Sequence, residues 1–226
     1  MKIIFKRILR SLYHIVNDNY LYILLIKKPL NTWILSNVEN KKIFNNDSRI
    51  WKNQEVMKSK WFSKISKPDE KIFINYITKK ISKEDYVLDM CCNQGRFLRY
   101  LNNNGYKNLY GFDIMEPAIK ILEESEEYKE GNIKVECCLA QEYLLKCPDK
   151  FFDYVITFPA AIELIHPSFK IFDQISRITK KGFIIALAEN RHYYPQFYRY
   201  LINKAKFRKI NIFKINKFET LYHYEK

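Results

Sequence analysis

The stretch from Tyr86 to Asp113 constrains the fold more than any other part of this 226-residue chain. It begins with a short apolar run typical of a buried strand, continues through a tight polar loop from Cys91 to Gly95, and then shows a helix followed by a second strand. Where a parallel strand turns into a helix, the backbone N–H groups of the helix point into a crevice at the carboxyl end of the sheet. The stretch therefore predicts a site for a nucleotide-type ligand at that edge.

The residue types in the loop and after it sharpen this prediction. Gly95 lets the backbone approach a ligand closely, and Asn93 is one of the few other residues that tolerate a positive φ. Asp113 ends the second strand, 18 residues after Gly95, where a carboxylate can accept hydrogen bonds from both ribose hydroxyls. A dinucleotide fingerprint would need a small residue where this chain has Leu98. The pattern favours a nucleoside clamp over a hydride-transfer site.

The run from Val87 to Leu98 resembles the first motif of class I S-adenosylmethionine (SAM)-dependent methyltransferases, whose usual form is an acid followed by Gly-x-Gly-x-Gly. The run from Gly111 to Ile114 looks like the second motif, in which the acid holds the ribose and the next apolar residue packs on the adenine. Residues 152–157, 162–166 and 178–185 are similar to the fourth strand, the segment after it and the turn into the fifth strand. The resemblance covers about residues 70–190.

This resemblance implies that SAM is the cofactor and indicates which residues bind it. The candidate cofactor-binding residues are Asp89, Cys91, Asn93, Gly95, Asp113, Ile114, Gln141 and Thr157. Two of them depart from the family pattern, because Cys91 and Asn93 stand where the motif has its first two glycines. The side chain of Cys91 would lie near the methionine end of the cofactor. Gln141, or its neighbour Glu142, replaces the acid that usually receives the adenine amino group.

The replaced glycines leave two hypotheses: a divergent but active enzyme, or a binding protein that keeps the fold and has lost the cofactor. We favour the enzyme, because Asp89, Gly95 and Asp113 together have little structural reason to persist otherwise. Enzymes that methylate nucleic-acid amino groups are expected to carry an Asn/Asp-Pro-Pro-aromatic sequence after the fourth strand. This chain has Thr157-Phe158-Pro159-Ala160 there. We therefore predict a small-molecule O or N acceptor, with glycans and lipid-linked molecules included, and keep an RNA methyltransferase as an alternative.

Acceptor groups are expected in the loops after the fourth and fifth strands. Methyl transfer is an in-line displacement, so the protein mainly aligns the two reactants, and a base is needed only if the acceptor must lose its proton early. His166 and His192 are the candidate catalytic bases. The other residues of these loops that we expect near the acceptor are Phe158, Pro159, Glu163, Glu189, Asn190, Arg191, Tyr193 and Tyr194.

Positive charge is concentrated at the two ends of the chain. Lys and Arg against Asp and Glu number 12 and 4 in residues 1–60, 18 and 19 in residues 61–190, and 9 and 2 in residues 191–226. Residues 1–16 have the spacing of a basic amphipathic helix, which packs on its own domain, covers a pocket or lies on an anionic membrane. The apolar run from Tyr20 to Ile26 is too short to span a bilayer and predicts a helix that ends or bends before Pro29. Peripheral membrane association through residues 1–28 is one hypothesis for a protein that we expect in the cytoplasm.

The whole chain divides into a basic helical extension and connector over residues 1–68 and a Rossmann-like domain over residues 69–226. Strands alternate with helices and close on a hairpin, which predicts a doubly wound α/β fold with a mostly parallel seven-stranded sheet and a C-terminal antiparallel hairpin. Within it, we expect one helix from Pro117 through Glu127, and a helix that ends at Lys180 to Gly182. The five cysteines include two adjacent pairs in predicted strands, where neighbours point to opposite faces, so we expect no metal site.

Overall fold

The computed structural model describes residues 23–37, 63–159 and 161–226. Seven strands form a single sheet. They are β1 (Tyr86–Met90), β2 (Asn108–Asp113), β3 (Ile133–Cys137), β4 (Phe152–Thr157), β5 (Thr179–Leu187), β6 (Arg208–Lys214) and β7 (Thr220–Glu225). Their order across the sheet is β3-β2-β1-β4-β5-β7-β6. The first five strands run parallel, and β7 lies antiparallel between β5 and β6. The predicted mostly parallel sheet with an antiparallel C-terminal hairpin is confirmed.

Helices cover both faces of this sheet. They are α1 (Pro68–Thr78), α2 (Arg96–Asn103), α3 (Glu116–Glu123), α4 (Glu126–Lys129), α5 (Ala140–Lys146), α6 (Ile171–Ile178) and α7 (Tyr198–Lys204), with a 3-10 turn at Ile162–Leu164. Successive strand residues point to opposite faces, so Val87 packs with α1 and α2, and Leu88 with α5 and α6. The result is a three-layer arrangement whose two apolar cores lie on either side of the sheet.

Two helix boundaries predicted from the sequence are wrong. Ser125 interrupts the expected helix: its hydroxyl donates to the Leu122 carbonyl at 2.6 Å and accepts the Tyr128 N–H at 3.3 Å, which starts α4 as a separate turn. Gly182 lies inside β5 instead of ending a helix. A Cβ at Gly182 would lie 2.1 Å from the Tyr224 carbonyl oxygen, so this glycine permits close approach of β7.

Residues 23–37 form what we call the N-terminal helical segment. Its turns Ile23–Lys27 and Leu30–Ile34 are π-helical, and it finishes in a 3-10 turn. The turn Ile23–Lys27 ends before Pro29, as expected, and Pro29 itself has helical dihedrals, φ −57° and ψ −47°, at the start of the turn Leu30–Ile34. A proline is tolerated at the start of a helix, where its missing N–H needs no partner within the helix. The helix predicted over residues 1–16 lies outside the described residues. In the described ranges, no helix has both the length and the apolarity needed to cross a bilayer.

Candidate cofactor site

The candidate site lies at the carboxyl ends of β1, β2 and β4, which are neighbours in the sheet. The loop between β1 and α2 has positive φ at alternate positions, +56° at Cys91, +52° at Asn93 and +69° at Gly95. These are the three positions at which the methyltransferase motif has glycine. The loop therefore keeps the left-handed backbone of a glycine-rich turn although two of the glycines are replaced.

The two replacements are accommodated differently. Asn93 belongs to a residue type that tolerates the left-handed region, and its Oδ1 accepts the Gln94 N–H at 2.8 Å. Cys91 lacks such a local acceptor, and its half-buried side chain packs against the apolar core beneath the loop. A left-handed residue with a Cβ costs about 1–2 kcal/mol, so Cys91 stores conformational strain.

This strain gives a prediction about the order of two substitutions. We expect Cys91→Gly to be more stable than Cys91→Ala by about 1 kcal/mol, because only glycine relieves the left-handed penalty. Urea unfolding of both variants measures the difference. At the exposed helical residue Lys120 the order of the two substitutions should reverse. Lys120→Ala should be more stable than Lys120→Gly by about 1 kcal/mol. Equal stability of the two Cys91 variants would contradict a strained loop.

Asp113 braces this loop from the end of β2. Its Oδ2 accepts the Asn93 N–H at 2.8 Å, and its Oδ1 accepts the Met115 N–H at 2.9 Å. Burial raises the pKa of the Asp113 carboxyl, and the backbone N–H groups oppose that shift. Each carboxylate oxygen can accept a second hydrogen bond, so the side chain retains acceptor capacity for a ligand.

Asp89 lies below the same loop on β1. It is 2% exposed, and its Oδ2 has no hydrogen-bond partner. Burial raises the pKa of Asp89 to about 8, while the nearby Arg96 guanidinium opposes the shift. Arg96 also faces Glu70, with Nε and Oε1 3.5 Å apart. A buried acid with an unpartnered oxygen is costly, and a cationic donor from outside the chain would lower its pKa and stabilise its ionised form, which makes Asp89 a candidate binding point for such a donor.

The remaining predicted cofactor residues lie at the same edge of the sheet. Thr157 is buried at the end of β4 and donates its hydroxyl to the Met90 carbonyl at 2.8 Å, which joins the ends of β4 and β1. Ile114 directly follows β2, and the half-buried Gln141 lies in the first turn of α5. Glu142 accepts the Leu139 N–H at 3.3 Å and so caps α5, which leaves Gln141 as the better candidate for the adenine amino group.

The two candidate bases lie in the segments that follow β4 and β5. His166 is 2% exposed, and its Nδ1 accepts the Ser168 N–H at 3.2 Å, so the ring proton of the neutral form lies on Nε2. Its ring packs edge-on against Tyr194, with centroids 5.1 Å apart. His192 lies on an exposed loop with φ +66°. His166 is therefore the buried candidate base and His192 the exposed one.

Glu163, which the sequence placed among the acceptor-side loop residues, is buried in a way that the sequence did not reveal. It is fully buried in the 3-10 turn after β4, where Oε1 accepts the Ala188 N–H and Oε2 has no partner. Its backbone carbonyl accepts the Tyr194 N–H at 3.0 Å, so it ties the loop after β4 to the loop after β5. Burial raises the pKa of Glu163 to about 7. Its hydrogen-bond partner lies 25 residues further along the chain, so its burial has no local sequence signal.

The raised pKa of Glu163 predicts a pH-dependent stability. The folded protein holds this proton more tightly than the unfolded chain, so the contribution is present at low pH and is lost as pH rises from about 4.5 to about 7. The free energy of unfolding of the wild type, relative to Glu163→Gln, should therefore fall between pH 5 and pH 8, by up to about 3 kcal/mol. Urea unfolding at both pH values tests this.

The control for that comparison is Glu84→Gln, since Glu84 is largely exposed. A carboxylate in water gains little from folding, so its variant should track the wild type at both pH values. A Glu163→Gln variant that also tracks the wild type would contradict a buried acid of raised pKa.

Residues 87–182 match the sequence profile of the methyltransferase domain family. These residues are similar to a methyltransferase domain, and over them the resemblance recognised from the motifs is confirmed. A search of curated proteins finds no significant match.

Solved methyltransferases share the fold at low sequence identity. Magnesium protoporphyrin IX methyltransferase (ChlM) from Synechocystis PCC 6803, solved with bound SAM, is 13% identical, with a TM-score of 0.58 over 90% of this chain and 96% of that one. A TehB-like SAM-dependent methyltransferase from Corynebacterium glutamicum is 15% identical, with a TM-score of 0.55 over 82% and 98%. The bifunctional kinase-methyltransferase WbdD is 21% identical, with a TM-score of 0.56 over 67% of this chain and 38% of that one. At these identities the likeness establishes the fold.

Proposed function

We propose that this protein is a SAM-dependent methyltransferase that modifies a small-molecule O or N acceptor, with glycans and lipid-linked molecules as the favoured classes. The observation that carries the proposal is the loop after β1. It holds a left-handed backbone at Cys91, Asn93 and Gly95 and lies against the carboxylate of Asp113. A chain that had lost its ligand would have no need to keep this strained turn.

The residues at the site fit SAM. Asp113 has acceptor capacity for the ribose hydroxyls, Ile114 offers an apolar surface for the adenine, and the Gln141 side-chain carbonyl can accept the adenine amino group. The unsatisfied Oδ2 of Asp89 suits a donor such as the ammonium of the methionine end. When bound, SAM supplies an electrophilic methyl group on its sulfonium.

The residues on the acceptor side would then orient the acceptor and receive its proton. Glu163 suits that role best, because Oε1 is fixed by the Ala188 N–H while Oε2 is unpartnered. A carboxyl with a pKa of about 7 is partly ionised near neutral pH and can take a proton from a hydroxyl or ammonium group. His166 and His192 are the second choice, since the first already accepts a hydrogen bond at Nδ1 and the second lies on an exposed loop.

The decisive experiment is calorimetric titration of the full chain with S-adenosylhomocysteine, the product form of the cofactor. We expect micromolar binding. If the wild type fails to bind and Cys91→Gly or Asn93→Gly binds, the chain is a binding protein that keeps the fold without the cofactor, and the enzyme proposal is wrong.

The acceptor class is tested separately with methyl-labelled SAM in a cell extract of the source. Label in the aqueous small-molecule or lipid fraction supports the proposed acceptors. Label confined to the RNA fraction would support the RNA alternative and contradict the proposal. Glu163→Gln should lower incorporation far more than it lowers binding of S-adenosylhomocysteine, because it acts on the acceptor and not on the cofactor.

A further inference from the structure

The N-terminal helical segment turns its apolar side outward and its polar side toward the domain, which is the reverse of what is expected for a helix in water. Its outward side consists of large apolar residues, which we call the outer apolar face. They are Leu25, Ile26, Leu30, Trp33 and Ile34, with exposed fractions of 67%, 54%, 37%, 48% and 60%. Its inward side carries the polar residues Lys28, Asn31, Thr32 and Ser36, each buried. A surface helix of a water-soluble domain normally has the opposite arrangement.

Hydrogen bonds fix this orientation. Asn31 Nδ2 donates to the Pro195 carbonyl at 2.8 Å, and Thr32 Oγ1 accepts the Phe197 N–H at 3.1 Å. Lys170 Nζ donates to the Ser36 carbonyl. Rotating the segment to bury its apolar side would break all three bonds and expose partners that are now satisfied. The outer apolar face is therefore held toward the outside by the protein's own contacts.

The border of this face combines aromatic rings with cations. Trp33 lies against Tyr200, with centroids 6.1 Å apart, and Tyr200 is itself 48% exposed. Lys27 lies on the same segment, while Arg199 and Lys204 are exposed on the adjoining α7. The interface of an anionic bilayer favours Trp and Tyr rings at an apolar–polar boundary, together with Lys and Arg side chains.

We propose that the outer apolar face docks this protein on an anionic lipid surface. Nucleic acid would select the cations but gains nothing from five exposed apolar side chains. A second copy of the chain would bring the same basic border against itself, which like charges oppose. A lipid surface satisfies both features, since acyl chains take the apolar residues and headgroups take the cations.

This docking surface extends the sequence prediction of membrane association and does not depend on methyl transfer. It lies on residues 25–34, which fall partly beyond the predicted residues 1–28. The hydrogen bonds that orient it go to Pro195 and Phe197, in the segment that follows β5. Because that segment continues the loop that carries the acceptor-side residues, docking would set the acceptor side of the domain close to the lipid.

The test is cosedimentation of the full chain with phosphatidylcholine vesicles, with and without phosphatidylglycerol. The test variant, Leu25→Ser with Ile34→Ser, changes exposed residues only and should leave the thermal midpoint unchanged. We expect the wild type to bind the anionic vesicles and the test variant to bind about tenfold more weakly. Leu145→Ser is the matched control, because Leu145 is 62% exposed on α5 and away from this face. It should bind as the wild type does.

A second measurement places the contact on the face itself. The chain has three tryptophans, so a variant with Trp51→Phe and Trp61→Phe keeps Trp33 as the sole reporter. Its emission should shift to the blue on anionic vesicles and be quenched by brominated lipid. The proposal is overturned if the wild type does not bind vesicles or if the test variant binds as well as the wild type. It is equally overturned if Trp33 emission does not change on binding, or if the substitutions instead convert a dimer into a monomer.

Discussion

Asp113→Ala should weaken the binding of S-adenosylhomocysteine by about tenfold to hundredfold, the scale of about 1–3 kcal/mol for hydrogen bonds to a charged group. Two effects add. The variant loses the acceptor for the ribose, and it frees the Asn93 and Met115 N–H groups that Asp113 now holds at 2.8 and 2.9 Å. Calorimetric titration of both proteins measures the loss.

Asp113→Asn separates the loss of the ribose acceptor from the loss of loop stability, and Asp149→Ala is the control. The asparagine keeps one carbonyl acceptor and most of the shape, so it should preserve more of the stability of the loop than of the affinity for the ligand. Asp149 is largely exposed and pairs with Arg177, and its loss should leave binding unchanged. If Asp113→Ala bound the ligand as tightly as the wild type, the ribose would have to be held elsewhere, and the site assigned here would be wrong.

The sequence predicted the β1–α2–β2 unit because its signals are local. The apolar run before Cys91, the glycine at position 95 and the acid that ends β2 each constrain their own neighbourhood. The first strand starts at Tyr86 and the second ends at Asp113, as expected. The mostly parallel sheet with its C-terminal hairpin followed from the alternation of strands and helices, which few topologies satisfy. The candidate cofactor residues lie at one edge of the sheet for the same reason, since the carboxyl ends of parallel strands share that edge.

Features that depend on distant contacts could not be predicted. Gly182 has the sequence environment of a helix stop, and only the approach of the Tyr224 carbonyl explains it. Glu163 looks like a loop acid until Ala188, the residue after β5, is seen to donate its N–H to the buried carboxyl. The inverted N-terminal helical segment is a third case, because three hydrogen bonds that orient its polar side come from residues more than 130 positions away along the chain.

The loop after β1 shows which part of a glycine motif the fold needs. Cys91 and Asn93 preserve the φ values of glycine without being glycine, whereas position 95 keeps the residue itself. The difference is one of space. A Cβ on Gly95 would lie 2.6 Å from Leu122 Cδ2 and 2.7 Å from Leu122 Cδ1, while the side chain of Cys91 packs on the core without such a clash. A residue with a Cβ can adopt the left-handed backbone at some cost in strain, but its Cβ cannot occupy space that another side chain already fills.

Gly95→Ala is therefore expected to destabilise the protein by about 2–4 kcal/mol, the left-handed penalty plus the cost of overpacking against Leu122. Gly131→Ala is the matched control. Gly131 has φ +83° and nothing within 4 Å of an added Cβ, so it should cost only the conformational part, about 1 kcal/mol. Urea unfolding of the two variants measures the difference between their losses of stability. That difference is the cost of the clash with Leu122, because the backbone penalty is common to both.

A double-mutant cycle with Leu122→Ala tests whether the contact with Leu122 causes that difference in stability. Leu122 is fully buried in α3, so its own truncation is costly, but with the methyl groups gone the added Cβ at position 95 meets less resistance. Gly95→Ala should then cost about as much as Gly131→Ala does in the wild type. If Gly95→Ala and Gly131→Ala were equally costly in the wild type, Leu122 would be able to move aside, and position 95 would have tolerated the same replacement as positions 91 and 93.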